Sequence, residues 1–262
     1  MTYGAAAYVA FLGVFVYTIG FVANVGVPKG IDDGTPGPVA VSVLANAGLL
    51  TLFAVQHSVM ARPWFKRWWT RFVPVSIERS TFVLAASLLL WLLLWQWRPL
   101  PAQVWSVEGT VVRATLWGLY GFGWMMVVGS TFLIDHFDLF GLRQVVARVR
   151  GRPHQPPGFR QPLLYGLVRH PIMAGFLIAF WAAPDMSAGR MLFAALATGY
   201  VVVAVRFEER DLRVHHGEAY ERYSARVPRF VPRLAQLRPR PGAGVDAGRP
   251  ANQARGWSRE SG

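Results

Sequence analysis

Apolar residues fall in five blocks along the chain, and polar and charged residues collect between them. The first block runs from about Tyr3 to Val27, the second from Pro38 to Met60, the third from Ser80 to Trp97 and the fourth from Val112 to Ile134. Each is close to the roughly 20 residues that an α-helix needs to cross about 30 Å of hydrocarbon. The first lacks a basic leading segment and is too long for a signal-peptide core, so it is expected to stay as a span. The fifth block, Ile172 to Val205, is interrupted at Ala182-Ala183-Pro184-Asp185. Its parts, about 172–183 and 188–206, predict a helical hairpin turning at Pro184. The first limb is short for a crossing: it is tilted, begins earlier, or is re-entrant.

Composition sharpens this pattern. Only 16% of the 262 residues are charged and 53% are hydrophobic, against about 25% charged in a soluble domain. The expected fold class is therefore all-α, a polytopic membrane helical bundle of five to six transmembrane helices. Cysteine is absent, which excludes disulfide scaffolds, thiolate metal centres and a cysteine nucleophile. The histidines and carboxylates show no metal-ligand spacing either.

The net charge of +13 resembles a nucleic-acid footprint, but its placement argues for membrane topology and no nucleic-acid partner. Loop 61–79 holds Arg62, Lys66, Arg67, Arg71 and Arg79, and loop 135–170 holds six arginines. Twelve further Lys/Arg lie from Arg206 onward, whereas the other connections are poor in them. Basic loops mark the cytoplasmic side, so both loops and both termini are expected there after six crossings. The tail past about Leu234, rich in Pro, Gly and Arg, is expected to be disordered.

Ionisable groups at span ends are costly and are functional candidates. Under this topology four segments deliver them to one level: His57; Asp135, His136 and Asp138; Arg169 and His170; Glu208 and Glu209. Pro171 suits a helix first turn, and Gly175 permits close approach of a ligand or helix. Gly118, Gly121 and Gly123 suit close helix packing. His215-His216 and His154 are expected in solvated loops. A different class of reading also fits these positions, a redox protein ligating haem or quinone through His57, His136 and His170.

The order Arg169-His170-Pro171, hairpin, Glu208-Glu209, then Tyr220-Glu221-Arg222-Tyr223 and Val227-Pro228-Arg229 resembles the isoprenylcysteine carboxyl methyltransferase-like membrane methyltransferase superfamily over about 160–232. The stretches Gln56 to Arg62, Ile77 to Thr81 and Ser130 to Gln144 extend the resemblance over most of 1–232. They are similar to the bacterial methanethiol S-methyltransferases of the nurim-like family. That resemblance implies S-adenosyl-L-methionine-dependent methylation of methanethiol to dimethyl sulfide, or of another thiol or an isoprenoid or lipid acceptor in the same architecture. A purely structural membrane role is the remaining reading. The resemblance also implies a bacterial inner-membrane enzyme in contact with lipid, with no obligate protein partner. Residues 1–134 would form the first four spans, and 135–232 a C-terminal cofactor pocket facing the cytosol. Residues 233–262 would be a basic tail. Tyr165, Arg169, His170, Pro171, Glu208 and Glu209 are then the cofactor-binding candidates. The superfamily often has Tyr two residues after the proline, where this chain has Met173.

The residue chemistry suits methyl transfer. The donor is already activated, so alignment is most of the work, and a thiol attacks best as thiolate. His57 and His136 are the candidate proton acceptors, with Asp135 orienting an imidazole.

Overall fold

The computed structural model describes residues 1–153 and 162–233. His154, Arg160 and the tail beyond Arg233 lie outside the described residues.

Five helices are long and apolar enough to span a bilayer: α1 (Thr2–Ala23), α2 (Val39–Ala61), α4 (Val75–Gln96), α5 (Thr110–Ile134) and α10 (Ala188–Arg226). Each of the first four begins and ends within about five residues of its apolar block, because the block length is dictated by the hydrocarbon it must cross. Their outward surfaces are apolar: Leu44, Trp95, Val111 and Met125 are all more than 60% exposed. Water would not tolerate so much contiguous apolar surface, but lipid does. The protein is a multi-pass membrane protein. Hydroxyls inside the spans return to their own helix, as in Thr18 Oγ1 to Val14 O, Ser87 Oγ to Val83 O and Ser130 Oγ to Met126 O. Buried Asn46 behaves differently. Its side-chain amide donates to Arg98 O at 2.8 Å and accepts from Arg98 N at 2.9 Å, so α2 holds the exit of α4 as a strand partner would.

Short elements join the spans. α3 (Pro63–Trp69) carries Trp64 and Trp68 exposed beside Lys66 and Arg67, the signature of a helix lying at an interface. α6 (His136–Leu139), α7 (Leu142–Val149) and α8 (Leu164–Leu167) fill the segment between α5 and α9 (Pro171–Trp181). Gly141 sits at φ 84°, and a Cβ there would stand 2.8 Å from Ser80 N. Glycine thus lets the α6–α7 turn close on the start of α4, where Arg79 Nε donates to Leu139 O at 2.8 Å.

The hairpin differs from expectation in two ways. First, α9 has 11 residues and rises about 16 Å, half a hydrocarbon core. Extended chain completes the limb, with Ala182, Ala183 and Met186 buried. Such backbone is tolerated at depth only inside protein. Second, Asp185–Ser187 is a strand, β2, paired antiparallel with β1 (Gln103–Ser106). This ribbon is a small addition to an all-α architecture. Arg113 fastens it, with Nη2 2.7 Å and Nη1 2.9 Å from the Asp185 carboxylate. The arginine and the Ser106 hydroxyl hold that carboxyl down at about 2.

α5 and α9 pack backbone to backbone. A Cβ on Gly123 would lie 2.7 Å from Ala179 N and Gly175 O, and one on Gly175 would lie 2.7 Å from Gly123 O. Both glycines serve helix approach. Gly118 and Gly121 have nothing within 4 Å of a built Cβ, so the packing expected of them is not made.

Candidate active site

The contacts gather one set of span ends on one face of the bundle. Tyr3 Oη donates to Thr81 at the start of α4, and Tyr8 Oη pairs with His136 at the end of α5. Arg62, after α2, meets Asp211 of α10 at 2.8 Å. Arg169 and His170 meet Glu209. The basic segments therefore share a level, as the charge pattern predicts.

At the centre is Glu209, whose side chain is 1% exposed. Arg169 Nη2 stands 2.8 Å from Oε1, Arg229 Nη2 2.8 Å from Oε2, Arg213 Nη2 3.5 Å from Oε2 and His170 Nε2 3.3 Å from Oε1. A buried carboxylate needs such pairing, since desolvation without partners would neutralise it. The second nitrogen of the His170 ring lies 3.5 Å from Glu208 Oε2. Glu208 is half exposed. Consecutive residues on a helix diverge by about 100°, so one glutamate enters the arginine cluster and the other stays half exposed. Pro171 occupies the first helical position of α9.

The helix break at Gly217 assembles this cluster. Its φ of 48° and ψ of −128° suit glycine and strain other residues. Beyond it, the final part of α10 turns back, and the chain after it runs beside the start of α9. Arg169 N donates to Pro228 O at 2.8 Å and His170 N to Arg229 O at 3.1 Å. Arg169 Nη1 also donates to Ser224 O, and Tyr223 Oη to Tyr165 O at 2.6 Å. Burial and the neighbouring Glu208 push the Tyr165 phenol well above its usual range, and Glu209 raises Arg229. Sequence reasoning missed Arg213, Arg229 and Tyr223 as members of the cluster, although Arg229 and Tyr223 lie in the motif after the hairpin.

The other candidates are placed differently. His136 is 7% exposed, and both ring nitrogens are used: Nε2 with Tyr8 Oη at 2.7 Å and Nδ1 with Thr131 Oγ1 at 2.8 Å. Phe132 stacks on it at 4.2 Å, and burial lowers its pKa. Asp135 does not orient that ring through a described bond. It caps α6 by accepting from Asp138 N and pairs with Arg143 at 2.6 Å. His57 lies deeper, among Phe53, Phe82 and Tyr200. Its Nδ1 is buried with no hydrogen-bond partner among the described residues. His215 and His216 are exposed beside the helix break. Bis-imidazole haem ligation would need free nitrogens facing each other. His136 and His170 have theirs engaged. Among the described residues, no group of three His, Cys, Asp or Glu side chains could hold a metal ion.

Comparison with known proteins decides the family. The chain is 55% identical over 230 residues to the methanethiol S-methyltransferase of Mycobacterium tuberculosis, covering 88% of this chain and 94% of that one. The chain belongs to the methanethiol S-methyltransferase family. It is 46% identical over 240 residues to the Pseudomonas sp. GM41(2012) enzyme of that name, with 92% of each covered. Nurim of Bos taurus is 30% identical over 184 residues, 67% of this chain and 70% of that one, which makes the family nurim-like. No family model and no solved structure matches the chain.

Proposed function

We propose that this methyltransferase moves the methyl group of S-adenosyl-L-methionine to the sulfur of methanethiol, giving dimethyl sulfide and S-adenosylhomocysteine. The observation that carries the reading is the 55% identity, spanning nearly all of a relative of that name. Its setting is the bacterial inner membrane, with the basic face toward the cytoplasm, following the Lys/Arg distribution.

The donor would be held by residues 135–232, and the residues there fit it. Glu208 is a half-exposed carboxylate beside His170, available to ribose hydroxyls or to the donor's positive charge. Arg169 Nε is buried without a partner among the described residues, while Arg213 and Arg229 are half exposed and suit the donor's carboxylate. Glu209 and Arg169 fix the wall on which His170, Pro171 and Tyr165 stand. The donor supplies an electrophilic methyl on a sulfonium. The protein's part is alignment, exclusion of water and acceptance of the thiol proton. His57, with Nδ1 unpartnered among the described residues, suits that last role better than His136.

The test is purified protein in lipid nanodiscs with donor and methanethiol. Headspace dimethyl sulfide is expected, together with calorimetric binding of donor and demethylated product. Donor binding without dimethyl sulfide would leave a methyltransferase and refute the acceptor.

A further inference from the structure

The arginine–glutamate cluster serves the donor, and a separate set of side chains suits the acceptor. We infer that Phe53, His57, Phe82 and Tyr200 form the acceptor site, an aromatic box between α2, α4 and α10 that admits a small thiol and discriminates against longer ones. The inference rests on the methyl-transfer reading and names the residues that choose its acceptor.

Three helices bring rings around one imidazole. Phe53 lies 5.5 Å from His57 at 30°, Phe82 5.0 Å at 49°, and Tyr200 6.4 Å at 88°. Within these walls His57 Nδ1 is buried and unpartnered among the described residues. Buried polar atoms are normally satisfied, by protein, water or ligand. Methanethiol has two heavy atoms and a weak S–H donor. Its sulfur also makes favourable contacts with aromatic rings. The Arg79 guanidinium stands over the Phe82 ring at 5.3 Å, so positive charge borders the box where a thiolate forms. Tyr200 lies about 12 Å along α10 from Glu208. Arg62, at 2.8 Å from Asp211 and over the Phe207 ring at 5.6 Å, lies beside that stretch. Leu52 and Val55 on α2 and Val203 on α10 are exposed apolar residues, so the helices that carry the box present apolar surface to lipid, where a volatile thiol partitions.

The step balances. The thiol proton passes to His57 Nδ1. The sulfur lone pair forms a bond to the donor methyl carbon as the carbon–sulfonium bond breaks, and that bonding pair stays on the donor sulfur. Two neutral thioethers result, and His57 later releases the proton to solvent.

The experiment compares wild type with Phe53→Ala, Tyr200→Ala and the milder Phe53→Leu. It reads the ratio of kcat/KM for ethanethiol over methanethiol by headspace analysis. One methylene in an apolar pocket discriminates by about 10- to 200-fold, so the enlarged variants should raise the ratio by about tenfold. A second readout uses no donor. In 15N-histidine-labelled protein, methanethiol should shift one imidazole signal, identified by its loss in His57→Asn. A ratio changed less than about twofold in every folded variant, with the His57 signal unmoved, overturns the box. If the variants do not fold, the signal on wild type decides alone. A wild type that methylates no thiol refutes the functional reading instead, and the signal still judges the box.

Discussion

Glu209→Gln tests the cluster that joins the two ends of the C-terminal half. The substitution keeps the shape and removes the charge. Arg229 and Arg213 are half exposed and can turn to solvent, but the Arg169 side chain is only 9% exposed. It would be left as a buried cation that keeps only neutral acceptors, the new amide oxygen and the Ser224 carbonyl, and no counter-charge. Breaking a buried pair from one side costs about 3–5 kcal/mol, and relaxation of the outer arginines favours the low end, about 3 kcal/mol. For a chain of this size that is roughly 6–12 °C in Tm. The assay is thermal unfolding of the detergent-solubilised protein by tryptophan fluorescence, beside limited tryptic cleavage after Arg226 and Arg229. Glu208→Gln is the control. Its half-exposed carboxylate has one ion-pair contact among the described residues, at 3.5 Å, so its loss should stay within about 0.5 kcal/mol. Combining Glu209→Gln with Arg169→Gln should recover at least about 1 kcal/mol, as expected of contacting partners. A Glu209→Gln loss below about 1 kcal/mol, with trypsin sensitivity unchanged, would refute the reasoning.

Gly123→Ala should destabilise by about 1–3 kcal/mol in the same unfolding assay, because the new methyl meets α9 backbone that cannot step aside. Gly118→Ala, facing open space, should be neutral or stabilising by up to about 1 kcal/mol. His136 has its pKa lowered by burial, so folding favours the neutral ring. That stability is complete above the unfolded pKa of about 6.5 and is lost as pH falls from there toward the folded value. Wild type should therefore lose more Tm than His136→Gln between about pH 7.5 and 5.5, and equal losses would contradict the assignment. Gly217→Ala, at φ 48°, should cost about 1–2 kcal/mol and free the segment around Arg229, seen as faster tryptic cleavage there.

The membrane bundle was legible from the amino acids because the bilayer imposes a length on every crossing and a charge bias on every loop. The cluster of motifs was legible too, since Arg169-His170-Pro171, Glu208-Glu209 and Val227-Pro228-Arg229 stand in order along the chain. Their pairing was not. Glu209 draws partners from 40 residues before it and 20 after it, and only the break at Gly217 and the return of the chain bring these together. Nothing in a Glu-Glu pair says which member turns inward. Nor did Asp185–Ser187 announce a strand, because its partner, Gln103–Ser106, is remote and both are too short to show alternation.

Hydrophobic patterning thus determined where the long spans lie and roughly where each of the first four ends, because those follow from local composition against a slab of fixed thickness, but it left open whether the 172–183 limb crosses. Only the tertiary structure decided that Glu209 is buried while Glu208 is half exposed, that His136 is engaged on both nitrogens while His57 Nδ1 has no partner among the described residues, and that glycines weld α5 to α9. Those outcomes depend on helix rotation and on contacts between distant residues, and neither leaves a mark in the local order of amino acids.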